Sequence, residues 1–251
     1  MNSVFRVSAY RGILGFLVFI LFWYGLSILL SSPVLPFPHT VFTTTADLVL
    51  TEGLLLHTIA SFLRAAAALL FAVLFAFPIG LFLGRSKKAD ATFFPLVSIL
   101  YPFPKIALLP VALLLFGLGN AAKIFLVALV LFFQFLVVFR DAAKRIDENY
   151  IFSILSIGGG KIEIFRYVFV PAMLPEFFSV LKIAAGTALA VLFFSETFFT
   201  DWGLGHFIMD AWMRISYPEM YAGILSLGIL GFLEFLIIDT IEKKTCPWRF
   251  D

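Results

Sequence analysis

Residues 153–175 read SILSIGGGKIEIFRYVFVPAMLP and place three consecutive glycines and a lysine in a chain rich in phenylalanine and leucine. A phosphate-binding P-loop needs G-x-x-x-x-G-K followed by Ser or Thr, because backbone N–H groups wrap the phosphates and the hydroxyl holds Mg²⁺. Gly160-Lys161 has Leu155 in place of the first glycine and Ile162 in place of the hydroxyl. The stretch is therefore not a nucleotide site, and no other part of the sequence fits the P-loop pattern.

The composition of the chain indicates a membrane protein. Its 251 residues are 62% hydrophobic and 14% charged, and its mean hydropathy is +1.04. A soluble domain is only about 45–50% apolar, so this chain is too apolar for a soluble domain of its length. The net charge of +2 and the lack of a basic stripe beside aromatic residues argue against nucleic acid as a partner.

Six nearly charge-free runs are long enough to cross a bilayer, which needs about 20 mainly apolar residues. They cover residues 12–31, 62–84, 91–118, 121–139, 176–199 and 220–239. The first run is longer than a signal-peptide core of about 7–15 residues and lacks a small-x-small cleavage site, so we expect an uncleaved anchor. The third run contains Lys105 and prolines at positions 95, 102, 104 and 110, which predict a kinked or partly interfacial start.

Basic residues collect on one side of the predicted spans. They precede the first run or follow the second, fourth and sixth, and they are Arg6, Arg11, Arg85, Lys87, Lys88, Arg140, Lys144, Arg145, Lys161, Arg166, Lys243, Lys244 and Arg249. Of the opposite loops, 32–61 has no Lys or Arg and 200–219 has only Arg214. Because cytoplasmic loops carry the excess of Lys and Arg, both termini are predicted to be cytoplasmic.

The opening stretch and the residues before it predict two short helices on the cytoplasmic face. Asp147 can cap the first helix. One side of that helix is expected to be apolar and to consist of Ile151, Phe152, Ile154, Leu155 and Ile157. Glycines 158–160 are expected to end it, because glycine readily adopts the left-handed backbone of a C-cap. A second segment, 161–170, leads to Pro171 and Pro175, which are expected to reset the chain before the fifth span.

Two interpretations of this helix pair stay open on periodicity alone. The pair can lie in the headgroup region of the bilayer, with Lys161 and Arg166 facing anionic lipid. Alternatively, its apolar side is a docking surface for a cytoplasmic protein. The residue pattern by itself fits both interpretations.

Metal and redox chemistry have little support in the sequence. Cys246 is the only cysteine, so the chain can form neither an internal disulfide nor a thiolate metal site. His39, His57 and His206 are far apart in the sequence and lack a second ligand at helical spacing. No metal site is predicted.

The stretch resembles the cytoplasmic signature of permease subunits of binding-protein-dependent ABC importers. In that signature E-A-A is followed by three residues, Gly, nine residues and I-x-L-P. Here Gly158 is followed by nine residues and then by Val168-Phe169-Val170-Pro171. The E-A-A positions hold Phe152, Ser153 and Ile154, so the acidic residue of the signature is absent.

Further motifs resemble one branch of these permeases, the nitrate/sulfonate/taurine branch, which includes transporters of thiamine-precursor pyrimidines and of riboflavin. The similarity covers roughly residues 55 to 249. It consists of HTIASFLR at 57–64, YPFPKIALLP at 101–110, FGLG at 116–119, Ser195-Glu196 followed by Gly203-Leu204-Gly205, and Pro247-Trp248. The combination is far more specific than any single motif.

The resemblance implies an all-α integral membrane protein with six transmembrane helices and the type I ABC importer permease fold. The whole chain, 1–251, is then one permease domain of the plasma membrane, with a cytoplasmic coupling segment at 141–175. The residues implied in coupling to the ATPase are Tyr150, Ile151, Phe152, Ile154, Leu155, Gly158 and Pro171. Such a subunit is not an enzyme and has no cofactor of its own, since ATP and Mg²⁺ are bound by a partner ATPase subunit. The other implied partners are an external substrate-binding protein, a second permease copy in a homodimer, and membrane lipid.

Charged residues inside the spans, and a serine beside one of them, are candidates for the translocation pathway, because each buried charge costs about 2.5–3.5 kcal/mol or more at the bilayer centre. Arg64, Ser195 and Glu196 are the candidates, and Arg64 and Glu196 fall toward the outer ends of their spans. These two residues either form a pair near an outer gate, which offsets the cost of burying them, or are separately solvated. Lys182 and Glu234 are interpreted as structural.

The rival function is a stand-alone secondary transporter or channel. It would require coupling residues at the bilayer centre and two matching halves, and the hydropathy shows no inverted repeat. The substrate is not determined by the sequence: the branch includes importers of nitrate- or sulfonate-like anions and of thiamine-precursor- or flavin-like heteroaromatic compounds.

Overall fold

The structure is a computed structural model that describes residues 2–51 and 53–249, with side chains from residue 12 onward. The side chains of Arg6 and Arg11, which enter the orientation prediction, lie outside this part. The described residues form α-helices joined by turns: α1 Asn2–Leu30, α2 Pro38–Thr51, α3 Leu54–Arg85, α4 Lys87–Leu100, α5 Leu109–Phe116, α6 Asn120–Arg145, α7 Glu148–Ser156, α8 Lys161–Ile164, α9 Val170–Glu196, α10 Leu204–Met213 and α11 Tyr217–Thr245. Short 3-10 turns cover Lys105–Leu108 and Pro247–Arg249.

Five helices are long and apolar enough to cross a membrane, and a bent pair supplies the sixth span. The five are Gly12–Leu30, Leu54–Arg85, Asn120–Arg145, Lys161–Glu196 and Tyr217–Thr245. The bent pair is Lys87–Leu100 with Lys105–Phe116, at an angle of 81°. The predicted all-α, six-span architecture is therefore confirmed, and the third span is kinked as its prolines predict.

The bend in the third span is closed by Lys105. Its ammonium donates to the carbonyl oxygens of Leu100, Tyr101 and Phe103 at 3.0, 2.7 and 3.3 Å. The last carbonyl groups of a helix have no partner within the helix, and these three belong to Leu100, which ends α4, and to Tyr101 and Phe103, which follow it. Lys105 therefore has a structural reason to lie inside an apolar span.

Close packing of α3 along α6 forms the centre of the fold. Alanines 65, 68, 72 and 76 of α3 are fully buried and let the two helices approach. A Cβ added to Gly80 would lie 2.7 Å from the Cβ of Phe139, and one added to Gly84 would lie 2.7 Å from the Cβ of Ala143. Only glycine fits at these two positions, as small residues do in tightly packed membrane helices.

Two arginines of α3 make contacts that lie about one bilayer thickness apart along the helix. Arg64 contacts Asn120 at the start of α6, and Arg85 donates to the carbonyl of Ile146 just after its end. Twenty-one residues separate Arg64 from Arg85, so at 1.5 Å per residue the distance is about 31 Å, close to the hydrocarbon thickness of a bilayer. Arg64 therefore lies near the membrane boundary opposite the one near Arg85 and α7, and the sequence predicts that this is the outer boundary.

Three features of the backbone differ from the sequence prediction. The outer loops 32–61 and 200–219 are not simple loops, because they contain α2 and α10. Pro171 and Pro175 do not reset the chain: one helix continues from Lys161 to Glu196. A π-helical turn, Phe165–Phe169, precedes Pro171 and widens the helix where the proline ring would otherwise crowd the preceding turn.

Candidate functional site

The predicted coupling helix is observed as α7, between two defined caps. Asp147 caps its start, where its Oδ1 accepts from the backbone N–H of Asn149 at 2.9 Å. Gly158 follows its end with a φ of +84°, a left-handed conformation that favours glycine. The backbone N–H groups of Gly158 and Gly159 donate to the carbonyls of Leu155 and Ile154. The glycines therefore end the helix as the sequence predicts.

The apolar side chains of α7 do not form the single side that the sequence predicts. Ile151 and Ile154 are half-buried against the chain. Tyr150, Phe152 and Leu155 are exposed by 66%, 57% and 48%. The reason is angular, because neighbouring residues of a helix point about 100° apart and 151/154 and 152/155 therefore lie on different faces. The outward face is the one that remains without a partner among the described residues.

Behind α7 lies a cavity of about 460 Å³ that separates the helix from the start of the fifth span. Its lining residues are Tyr150, Ser153, Ile154, Tyr167, Val168, Pro171, Ala172 and Trp248. Pro171 and Ile154 of the predicted coupling helix therefore line the same cavity. The residues predicted to couple to an ATPase are thus brought to one end of the protein, with Tyr150, Phe152 and Leu155 at its surface.

At the end of the helix bundle opposite α7 the structure brings Arg64 and Glu196 together. Arg64 Nη1 lies 2.6 Å from Glu196 Oε1, and the two side chains are only 7% and 1% exposed. The carboxylate of Glu196 also accepts from the hydroxyl of Ser61 at 2.8 Å and from the backbone N–H of Gly205 at 3.0 Å. Gly205 is in the first turn of α10, where the helix dipole favours a negative charge.

The guanidinium of Arg64 makes a separate set of contacts with acceptors. Its Nε donates to Asn120 Oδ1 at 2.8 Å, and its Nη1 donates to the carbonyl of Trp202 at 2.6 Å. The pair thus joins four segments: α3, the start of α6, the end of α9 and the turn before α10. We call the set Ser61, Arg64, Asn120, Glu196 and Gly205 the outer cluster.

The turn before α10 fits the outer cluster only because it contains glycine. Gly203 has a φ of +135°, and a Cβ there would overlap the carboxylate of Glu196. The backbone N–H of Gly203 lies 3.1 Å from Nδ1 of His57, and the ring of His57 stacks with that of His206 at 6.0 Å between centroids. Two histidines that are distant in sequence therefore support the same turn.

Ser195, the third predicted pathway residue, is not part of the outer cluster. It is fully buried, and its hydroxyl donates to the carbonyl of Leu192 in its own helix at 2.9 Å. The neighbouring position, Glu196, points instead toward α3.

Sequence reasoning missed Lys123, which is fully buried beside the outer cluster. Its ammonium donates to the carbonyls of Leu118 and Phe199, both at 3.2 Å. A lysine near the start of a helix is unfavourable because the helix dipole places positive charge there. The position of Lys123 near the start of the fourth predicted span was therefore a signal in the sequence that this residue has a special role. Asn120 and Ser61 carried no such signal, because short polar side chains are common at helix starts and inside spans. In the described residues, no group of three His, Cys, Asp or Glu side chains could hold a metal ion.

Comparison with solved structures identifies the fold. The chain resembles the methionine ABC transporter MetNI in an inward-facing conformation, with a TM-score of 0.64 and 21% identity over 77% of this chain and 96% of that one. This similarity shows that the chain has the fold of an ABC importer permease.

The family follows from the sequence match. The family described as "Binding-protein-dependent transport system inner membrane component" matches residues 76–245, and the chain belongs to it. The taurine transport system permease protein TauC of Escherichia coli is 28% identical over 77% of this chain and 70% of its own length. The formylaminopyrimidine transport permease protein ThiX of Halalkalibacterium halodurans is 28% identical over 93% of this chain and 94% of its own.

The chain is therefore a permease subunit of an ABC importer, and the resemblance found in the sequence is confirmed. Such a subunit is not an enzyme, because ATP hydrolysis takes place on a partner ATPase. The family implies an ATPase and a binding protein as partners and an inner-membrane location. A stand-alone secondary transporter or channel is excluded by this membership.

Proposed function

We propose that two copies of this chain together line the translocation pathway, with both termini in the cytoplasm and membrane lipid around them. The chain itself holds no cofactor, and ATP and Mg²⁺ are bound by the ATPase. The solute is either a nitrate- or sulfonate-like anion or a heteroaromatic compound, delivered by the external binding protein. TauC and ThiX, whose names refer to taurine and to formylaminopyrimidine, support one of these classes each.

The observation that carries the coupling proposal is the exposed apolar face of α7. Phe152 and Leu155 lie beyond the inner end of α6, where a water-exposed apolar patch indicates an interaction site. The helix contains no Lys or Arg and begins with Asp147 and Glu148, so it is poorly suited to an anionic lipid surface. A groove on the ATPase fits this face better than the headgroup region does.

In this mechanism α7 contacts the ATPase, and the long helix that begins at Lys161 transmits the movement to the membrane. Movement of the ATPase would displace α7, and Pro171 lines the cavity beside α7, just after the widened turn of the long helix. The turn is a local weak point, since a proline removes a backbone hydrogen bond. Displacement there would tilt the fifth span and change access to the pathway.

The test is substitution of Phe152 in the complete transporter. Phe152→Asp places a charge in the docking face, so we expect the ATPase to be lost from the purified complex and ATP-driven uptake to be abolished. Phe152→Leu keeps an apolar side chain and should retain both. Gly158→Val should act like Phe152→Asp, because a β-branched residue is strained at a φ of +84°. Normal copurification and turnover with Phe152→Asp and Gly158→Val would show that docking takes place elsewhere.

The homodimer is supported by small residues on an outward face of α9. Gly186 and Ala190 are exposed in the single chain, and a Cβ at Gly186 would contact nothing within 4 Å. Small residues at such a position allow another membrane helix to approach closely. Native mass spectrometry of the complex should find two identical permease chains, and two different chains would contradict the homodimer.

A further inference from the structure

The short turn Pro247–Arg249, which we call the C-terminal turn, is joined to α9 by a single guanidinium. Arg249 Nη1 donates to the carbonyl of Pro175 and to the hydroxyl of Ser179, both at 2.9 Å, and it also contacts the carboxylate of Glu242. Pro175 and Ser179 are four residues apart on α9 and therefore lie on the same face of that helix. Glu242 belongs to the last turns of α11. Arg249 thus links α9 to the end of α11.

Glu242 lies at the centre of this link, because both of its carboxylate oxygens meet cations. Its Oε1 contacts Arg249, and its Oε2 lies 2.7 Å from Nζ of Lys182 in α9. Lys182 also pairs with Asp239, three residues before Glu242, at 2.6 Å. The side chain of Glu242 is only 2% exposed, and a buried carboxylate of this kind needs its partners. Cations from α9 and from the C-terminal turn therefore hold α11 in place.

Apolar packing supports the same link. Cys246, directly before the C-terminal turn, is fully buried and forms a small core cluster with Phe178 and Ala185 of α9 and Ile238 of α11. The backbone N–H of Arg249 donates to the carbonyl of Cys246 at 3.1 Å. The turn is therefore held against α9 by a buried side chain at its start and by hydrogen bonds at its end.

Trp248 lies between these two attachments and borders the cavity beside α7. It is 52% exposed and lines the cavity of about 460 Å³ together with Tyr150 and Ile154 of α7 and Pro171 of the long helix. An indole ring buries a large apolar surface when another element closes on it. A movement of α7 into this cavity would therefore bring the coupling helix against Trp248.

We propose that the C-terminal turn is a second connection between the coupling helix and the membrane spans: Trp248 receives the displacement of α7, and Arg249 passes it to α9 and α11 together. Packed side chains and ion pairs in direct contact can carry such coupling. Arg249 is then a positioning residue, because it keeps Trp248 at the cavity. Without it, a displacement of α7 acts on the long helix alone. This inference rests on the proposed function, since it requires the ATPase to move α7.

The test is hydrogen exchange, measured by mass spectrometry on the permease–ATPase complex in lipid nanodiscs. The complex is compared without nucleotide and after trapping with ATP and vanadate. In the wild type, trapping should change the exchange rates of both α7 and the segment 243–249. Exchange in 243–249 should slow about tenfold or more, because the indole loses about 100 Å² of exposed surface when α7 closes on it.

Variants of the C-terminal turn separate its response from that of α7. In Trp248→Ala, α7 should respond to trapping as in the wild type, whereas 243–249 should not respond. Trp248→Phe keeps an aromatic ring and should retain the response. Arg249→Ala should lose it, because the turn then loses its hydrogen bonds to α9. Lys243→Ala is the matched control: Lys243 pairs with Asp239 within α11, so its removal should leave the response unchanged.

The response of α7 distinguishes a failure of this inference from a failure of the proposed function. If α7 responds in the wild type and 243–249 does not, the C-terminal turn is not part of the connection. The same conclusion follows if the response of 243–249 survives both Trp248→Ala and Arg249→Ala. If α7 itself does not respond in the wild type, the proposed coupling through α7 is wrong, and this inference is wrong with it.

Discussion

Neutralising Glu196 tests whether the outer cluster stabilises the folded permease. In Glu196→Gln the charge of Arg64 stays buried and loses the one carboxylate that it contacts among the described side chains. Breaking a buried ion pair from one side costs about 3–5 kcal/mol. Arg64 keeps the oxygens of Asn120 and Trp202 as acceptors, so the lower limit, about 3 kcal/mol, applies.

That loss is large enough to measure as a change in the unfolding temperature of the solubilised protein. With about 2–4 °C per kcal/mol for a chain of this size, Glu196→Gln should unfold about 6–12 °C below the wild type. Asp210→Asn is the matched control. Its partner Arg214 and Asp210 itself are half-exposed, and such a pair contributes at most about 1 kcal/mol. Equal unfolding temperatures for these two variants would refute the reasoning.

The same geometry predicts that exchanging the two charges does not restore stability. The carboxylate of Glu196 lies among donors, the Ser61 hydroxyl and the Gly205 N–H, whereas Arg64 faces carbonyl oxygens. In Arg64→Glu/Glu196→Arg the new carboxylate would face acceptor oxygens, and the new guanidinium would face hydrogen-bond donors. The double variant should therefore unfold at least as early as either single reversal, and recovery to the wild-type temperature would contradict the proposed contacts.

Two further substitutions test the packing at the inner half of the protein. Gly84→Ala should destabilise the protein by about 1–3 kcal/mol, because its Cβ would overlap α6. Gly228→Ala should not destabilise it, because a Cβ there meets nothing within 4 Å. Equal effects of the two variants in thermal unfolding would argue against the close approach of α3 and α6. Arg249→Ala should speed alkylation of Cys246, because Arg249 donates hydrogen bonds to Pro175 and Ser179 that hold the C-terminal turn over a thiol whose pKa is raised by burial. Arg214→Ala, at the opposite end of the protein, should leave the alkylation rate unchanged. A slow rate in both variants would show that the turn stays closed without Arg249.

The prediction of α7 shows where local sequence signals are sufficient. Asp147 and Gly158 define the ends of the helix through groups within a few residues of themselves, and they act in the structure as expected. Which face of the helix is free depends on the chain packed behind it. The sequence grouped Ile151 with Phe152, but only the folded protein buries the first and exposes the second.

The third span shows the same division. Its prolines predicted a kink, because a proline removes a backbone donor wherever it occurs. The use of Lys105 to satisfy the carbonyl groups of the kink could not be predicted, since it depends on the direction in which the chain turns after α4.

The sequence by itself determined the membrane class, the number of spans and the family. Apolar run length and the fixed spacing from Gly158 to Pro171 are properties of single segments and do not depend on how the segments pack. Tertiary structure alone decided which buried charges meet. Arg64 and Glu196 are 132 residues apart, and they pair because α3, α6, α9 and α10 converge at the end of the bundle opposite α7, where neither charge could be buried without the other.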